Sequence, residues 1–291
     1  MSLKENRILL ASCACFLLFG LNSCDKLDDP VIDVIPVQNP NLVTPEFDPL
    51  ETDMQRVLVE DFTAHQCGNC PPAAVKIEEW VQAHGEVIVP LAIHAGGLAD
   101  TSEDFPMDWT CEEGDAFWSD LSFQGNPLGR INRLPSENEG LFLSQWDATL
   151  EPLLAATPPA GLQSVVDYIA EDQELVVHTH VTWFQDVDGP VRLALLIAES
   201  NIIAPQSWYD TVDPPGPGVV ADYNHKHLLR GSVTGAKGLV VTEDAAAGDE
   251  TVVTYAVDWN VNWNADNAEV LAVLTNSEGH VIQVLSTAVS P

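Results

Sequence analysis

After the turn-rich segment TPPAG at residues 157–161, apolar and polar residues alternate in segment after segment. ELVVHTHVTWF, VRLALLIAE, ETVVTYAVDW, AEVLAVLTN and HVIQVLSTAV each read as a strand, because side chains along a strand point alternately to opposite faces. Turn signals such as DVDGP and NSEGH separate them. Five or more strands without a strong helical pattern argue a β-sandwich over residues 158–291. Upstream the pattern differs. RVLVEDF and EVIVPLAIH are short apolar runs that suit buried strands, and GNPLGRINR is a turn entering a third. CPPAAVKIEEWVQAHG has helical spacing, with Ala74, Val75, Ile77, Trp80 and Val81 as its apolar face and Gly85 as its stop. DAFWSDLSF and LSQWDATLEPLLAA read as further helices. Strands alternating with helices argue an α/β layer structure over residues 53–157.

The first residues have the grammar of export. Lys4 and Arg7 precede the apolar run ILLASCACFLLFG, which is too short for a membrane span. The following LNSC resembles a bacterial lipobox. That resemblance implies a signal peptide at residues 1–23, with Cys24 lipidated and membrane-anchored. Residues 24–52 are acidic, rich in Pro and without periodicity, so they read as a tether. The expected location is the cell envelope, as an outer-membrane lipoprotein facing the periplasm or the surface. With 44 acidic against 11 basic residues and a formal net charge of -33, the chain would repel nucleic acid.

Export changes the cysteine arithmetic. Cys13 and Cys15 leave with the signal and Cys24 carries lipid, so Cys67, Cys70 and Cys111 remain in a compartment that permits disulfides. Cys67 precedes the predicted helix and Cys70 falls at its first turn. Unpaired N–H groups and the helix dipole stabilise a thiolate there. Pro71 and Pro72 suit early helix positions, where a missing donor costs little. The expectation is an exposed, acidic Cys67 with Cys70 buried one turn on. Three chemistries remain open: a redox-active dithiol, a structural disulfide closing a small ring, and a metal site. Zinc would need four ligands and no second CxxC is present. Copper could take the two thiols with His65 or His94.

VLVEDFTAHQCGNCPPAAVKIEEW resembles the active-site strand, loop and helix of the thioredoxin fold. The resemblance implies that Asp61, six residues before Cys67, serves Cys70 as proton acceptor. It also implies that Pro127, in GNPLGRIN, is a cis-proline lining the substrate groove. Departures are Gln66 in place of a Trp and the Gly-Asn pair between the cysteines. Over residues 20–291 the chain is similar to the outer-membrane-protein-related lipoproteins named for a twenty-eight-kilodalton member. The cysteine segment and NHKHLLRGSV are the most specific parts of that likeness. The fold expected is a thioredoxin-like α/β domain followed by an all-β immunoglobulin-like sandwich. The function expected is thiol–disulfide exchange with protein thiols or disulfides, with Cys67, Cys70, Asp61 and Pro127 as the catalytic set and no cofactor. The alternative is a non-enzymatic surface binding module with a structural disulfide, or a copper-binding protein.

Other residues read as structure. Cys111 lies in MDWTCEEG, an aromatic and acidic setting that raises a thiol pKa. His178 and His180 share one strand face and read as a polar outer face. His225, His227 and Arg230 read as a hydrogen-bonded corner or a small site. Trp259 and Trp263 read as core and turn packing. No Gly-rich phosphate loop, GxSxG or HExxH occurs.

Overall fold

Thirteen strands and three α-helices account for the regular structure in a computed structural model that describes residues 42–209 and 218–289. Cys24, the signal segment and the first part of the tether lie outside the described residues. The N-terminal half contributes β1 (Val57–Thr63), α1 (Pro71–His84), β2 (Ile88–His94), α2 (Glu112–Asp120), β3 (Leu128–Ile131) and α3 (Trp146–Leu150). Then follow β4 (Ala160–Ile169), β5 (Glu174–Trp183), β6 (Val191–Glu199), β7 (Ile202–Trp208) and β8 (Gly218–His225). The chain ends with β9 (Leu228–Ser232), β10 (Leu239–Thr242), β11 (Glu250–Asp258), β12 (Ala268–Thr275) and β13 (Val281–Ala288).

One sheet runs in the order β13-β12-β6-β9-β2-β1-β3, with β10 on β6. A second has the order β11-β5-β4, and β7 pairs with β8 as a separate hairpin. The large sheet crosses the expected domain boundary. β9 comes from the C-terminal half and lies between β6 and β2, its Leu228 beside Ala92. The expected fold, a thioredoxin-like α/β domain followed by a separate immunoglobulin-like sandwich, is therefore corrected. The chain is mostly β, and its first three strands extend a sheet that the later strands build.

The physical reason lies in VRLALLIAE and AEVLAVLTN. Along β6, Leu193, Leu195 and Ile197 enter the core shared with β4, β5 and β11. Ala194, Leu196 and Ala198 enter a second core, with Leu58, Phe62, Leu91, Ile93 and Phe117 of the N-terminal half. A strand apolar on both faces needs a cover on both sides. A sandwich strand with one solvated face would not. A third core joins Val57, Val59 and Ile131 to Ala73, Ile77 and Trp80 of α1 and to Trp146 and Leu150 of α3. Val75, expected on the apolar face of α1, lies on the exposed side. Gly85 ends α1 with φ of 60°, a conformation glycine adopts without steric cost.

The end of the predicted tether is packed down. Leu50 lies against Gly161, the Phe47 ring is 5.2 Å from that of His180, and Asp53 accepts from Leu162 N. His178 and His180 do face outward from β5, but they are buried, bonded to Thr254 Oγ1 at 2.8 Å and Gln163 Oε1 at 3.0 Å.

Candidate functional site

Alternation along β1 sorts its residues to two sides. Val57, Val59 and Asp61 face α1, whereas Leu58, Glu60 and Phe62 face α2. Both carboxylates are buried. Glu60 stands opposite Arg130 across the β1–β3 ladder, and Arg130 Nε and Arg133 Nη2 each lie 2.8 Å from it. Burial pushes the Glu60 carboxyl up, but the two guanidinium groups and their hydrogen bonds hold it below the usual range. Asp61 has no such partner. Its Oδ1 makes no hydrogen bond among the described residues, and burial raises its pKa to about 7.

Cys67 and Cys70 are joined as a disulfide, with Cα atoms 5.4 Å apart. Cys70 is the N-cap of α1, with Pro71 opening the helix. The expected exposure of Cys67 is not found: Cys67 is 3% and Cys70 1% exposed, packed with Ala64 and Ala99. The hairpin β7–β8 covers the loop. Ser207 N donates to His65 O at 2.8 Å and Tyr209 N to Gly68 O at 2.7 Å. Gln206 Nε2 donates to Ala64 O and Cys67 O at 3.2 and 3.1 Å. The Tyr209 ring sits so close to Gly68 that a Cβ there would come within 2.3 Å of it.

Behind Cys70 lies a cavity of about 400 Å³, walled by α1, by the ends of β1 and β2, and by the covering hairpin. Asp61, Cys70, His94, Trp208, Tyr223 and His225 line it, with Ala74 and Ile77 supplying apolar surface. Asp61 Oδ1, His94 Nδ1, Trp208 Nε1 and His225 Nε2 all lack a hydrogen-bond partner among the described residues. Buried polar atoms are ordinarily paired, so four unpaired ones around one cavity mark a place built for polar contact. Burial holds both imidazoles neutral at pH 7: His94 well below its usual value, with His225 and His65 adding to the effect, and His225 at about 4. The Tyr223 hydroxyl is pushed up to about 12 by burial and then by Asp61.

The structure thus brings Asp61 and Cys70 to one cavity. Cys67 and Pro127 do not line it. The Asn126–Pro127 bond is cis, and Pro127 leads into β3, where Leu128 pairs with Phe62. His65 is stacked on Phe105 at 5.2 Å and bonded to Asp100 O at 3.0 Å. His94 ends β2 facing the cavity, and His225 is its neighbour, with ring centroids 5.6 Å apart. His227 also lines the cavity, with its Nδ1 bonded to Glu269 at 2.9 Å and its Nε2 3.9 Å from Glu78. Among the described residues, no three His, Cys, Asp or Glu side chains converge as a metal site. Cys111 is half-buried, and burial with Glu113 and Asp115 nearby pushes its thiol up to about 12. Sequence reasoning missed Gln206, Trp208 and Tyr223, because APQSWYD and GVVADYN carry no clear alternation.

No helix among the described residues is long and apolar enough to cross a membrane. No curated protein matches the sequence. Among solved structures, HBP35 of Porphyromonas gingivalis is similar over 81% of this chain and 76% of its own, with a TM-score of 0.61 and 17% identity. A structural-genomics protein of Agrobacterium tumefaciens is similar over 82% of this chain and 96% of its own, at a TM-score of 0.51 and 13% identity. At those identities the likeness concerns the fold alone. The model of the outer membrane protein Omp28 family matches residues 114–291, from α2 through β13. That match takes in the hairpin over the disulfide and every strand of the sheet after β2, and by it the chain belongs to the Omp28 family of outer membrane proteins.

Proposed function

We propose that this envelope protein is a binding module whose cavity beside the disulfide takes a small ligand, with Cys67–Cys70 as a structural clamp on the cavity wall. The observation that carries this reading is the set of four unpaired buried polar atoms, on Asp61, His94, Trp208 and His225, around one cavity of about 400 Å³. That volume lies in the usual range for small-molecule sites. The clamp holds Cys70 at the start of α1 while Gln206 fixes the Cys67 carbonyl, so the loop keeps the cavity wall in place. A lipid anchor at Cys24 would hold the module at the membrane.

The test is a screen of neutral, cationic and anionic fragments by ligand-observed NMR, on the wild type and on Ala74→Trp, which fills the cavity from α1. The reading expects hits that the substitution abolishes. No hit sensitive to it would overturn the reading.

One observation favours a second reading, thiol–disulfide exchange with protein thiols or disulfides: Asp61, with a pKa of about 7, shares the cavity with Cys70. In that scheme a substrate thiolate attacks Cys67 Sγ, forming a mixed disulfide and releasing the Cys70 thiolate, and Asp61 supplies its proton. Cys70 later gives that proton back to Asp61 and resolves the intermediate, while Pro127 borders the approaching chain. Attack requires the β7–β8 hairpin to leave Cys67. A redox titration separates the two: a potential between about -120 and -270 mV belongs to exchange catalysts, and one below about -300 mV to a structural bond.

A further inference from the structure

We infer that the cavity beside Cys70 is specific for a small organic cation, an ammonium group on an apolar body with a hydrogen-bond acceptor at its far end. The inference deepens the binding reading and rests on it. Three observations select this chemistry.

Asp61 is a carboxyl in the cavity wall with no basic partner, while its chain neighbour Glu60 is held by two guanidinium groups on the opposite face. A buried carboxylate is stable only when it is paired, so a cation is the group that Asp61 lacks within the fold. Lys226, on the cavity wall, is already paired with Glu78.

The remaining unpaired atoms suit the same ligand. His94 Nδ1 and His225 Nε2 belong to neutral imidazoles, so each can accept a hydrogen bond from an ammonium in the matching tautomer. Trp208 Nε1 can only donate, so it calls for an oxygen on the ligand. The walls complete the match. Trp208 and Tyr223 bring two aromatic rings to the cavity, their centroids 6.2 Å apart, and a cation is attracted to such faces. Glu78 and Glu79 also line the cavity, and the chain's net charge of -33 raises the local concentration of cations. An anion would meet Asp61, Glu78 and Glu79 with Lys226 already engaged.

Tyramine and 4-propylphenol form a suitable probe pair, since they share the ring and the hydroxyl and differ by an ammonium in place of a methyl. Calorimetric titration of the intact chain at pH 8 is expected to show tyramine binding at least tenfold more tightly. Asp61→Asn should remove that preference while 4-propylphenol binding persists, and Trp208→Phe should weaken both probes alike. Equal or tighter binding of 4-propylphenol to the wild type would overturn the cation specificity and leave the binding reading standing. A tyramine preference that survives Asp61→Asn, or no binding of tyramine at tenfold the concentration that saturates the fragment hits, would also overturn it. Failure of the binding reading itself is a different result, the lack of any fragment displaced by Ala74→Trp.

Discussion

Glu60 and Asp61 are adjacent on one strand, buried to the same degree, and treated in opposite ways. Glu60 faces α2 and is enclosed by Arg130 and Arg133, which in turn lie over the Phe62 and Phe117 rings at 4.9 to 5.3 Å. Asp61 faces α1 and the cavity, and has neither an ion pair nor a hydrogen bond to Oδ1 among the described residues. The first arrangement holds one carboxylate between two guanidinium groups, and the cluster joins β1 to β3. The second leaves Asp61 Oδ1 without a partner at the cavity wall. A protein that needed only a stable strand would gain from an apolar residue at position 61, as at Val57 and Val59. Among the described residues, four of the ten unpaired buried side-chain atoms belong to residues lining the cavity beside the disulfide, and Asp61 supplies the carboxylate among them.

The largest effect is expected at the Glu60 cluster. Arg130→Ala leaves Glu60 with Arg133 alone and opens space beneath Phe62, so unfolding in urea should show a loss of about 3–5 kcal/mol. A loss below about 1 kcal/mol would mean that the cluster is hydrated.

Asp61→Asn should act in the other direction, and with pH. The folded-state pKa of Asp61 is raised above its ordinary 3.8, to about 7. Between those values the folded chain holds a proton that the unfolded chain releases, so stability falls as pH rises through this window. An amide at this position cannot ionise, so the substitution removes that dependence. It should leave stability at pH 4 nearly unchanged and raise it at pH 8 by about 2–4 kcal/mol, measured as the pH dependence of thermal unfolding with and without the change.

The cover over the disulfide predicts a smaller effect. Tyr209→Ala removes the ring from Gly68 but keeps the Tyr209 N–H bond. Global stability should change by less than about 1 kcal/mol, while reduction of Cys67–Cys70 by dithiothreitol should accelerate severalfold. An unchanged rate would show that the hairpin does not limit access. The smallest effect belongs to Cys111. With its thiol pKa near 12 it should alkylate with iodoacetamide at pH 8 far more slowly than a free thiol, by mass spectrometry.

Much of the local structure was legible in the sequence. The apolar runs ending at Phe62 and His94 correspond to β1 and β2, and the Cys-Pro-Pro start and Gly85 stop bounded α1. The raised pKa of Cys111 comes first from burial, which the sequence did not show, and then from the acidic flank, which it did. The architecture was not legible, because periodicity reports that a strand is apolar on both faces without saying what covers the second one. β6 and β12 therefore read as members of a sandwich, when half of their side chains pack against the N-terminal strands. The aromatic part of the site was hidden for a similar reason. Asp61, Cys70 and His94 stand in recognisable segments and His225 was singled out in NHKHLLRG, but Trp208 and Tyr223 come from a hairpin far downstream whose pairing sits in no local pattern. Its hold on the cysteine loop, through Gln206, Ser207 and Tyr209, also explains why Cys67 is buried where helix-start chemistry alone would expose it.

Asp61 is buried, and its Oδ1 has no partner among the described residues. The direct measurement is a pH titration of the Asp61 side-chain carboxyl by carbon-13 NMR, assigned with Asp61→Asn, in the free protein and with saturating tyramine. The predicted result is a midpoint near 7 in the free protein, as burial requires, and a fall of at least one pH unit when the ammonium binds. A midpoint near the ordinary 3.8, unmoved by tyramine, would contradict a buried, unpaired Asp61.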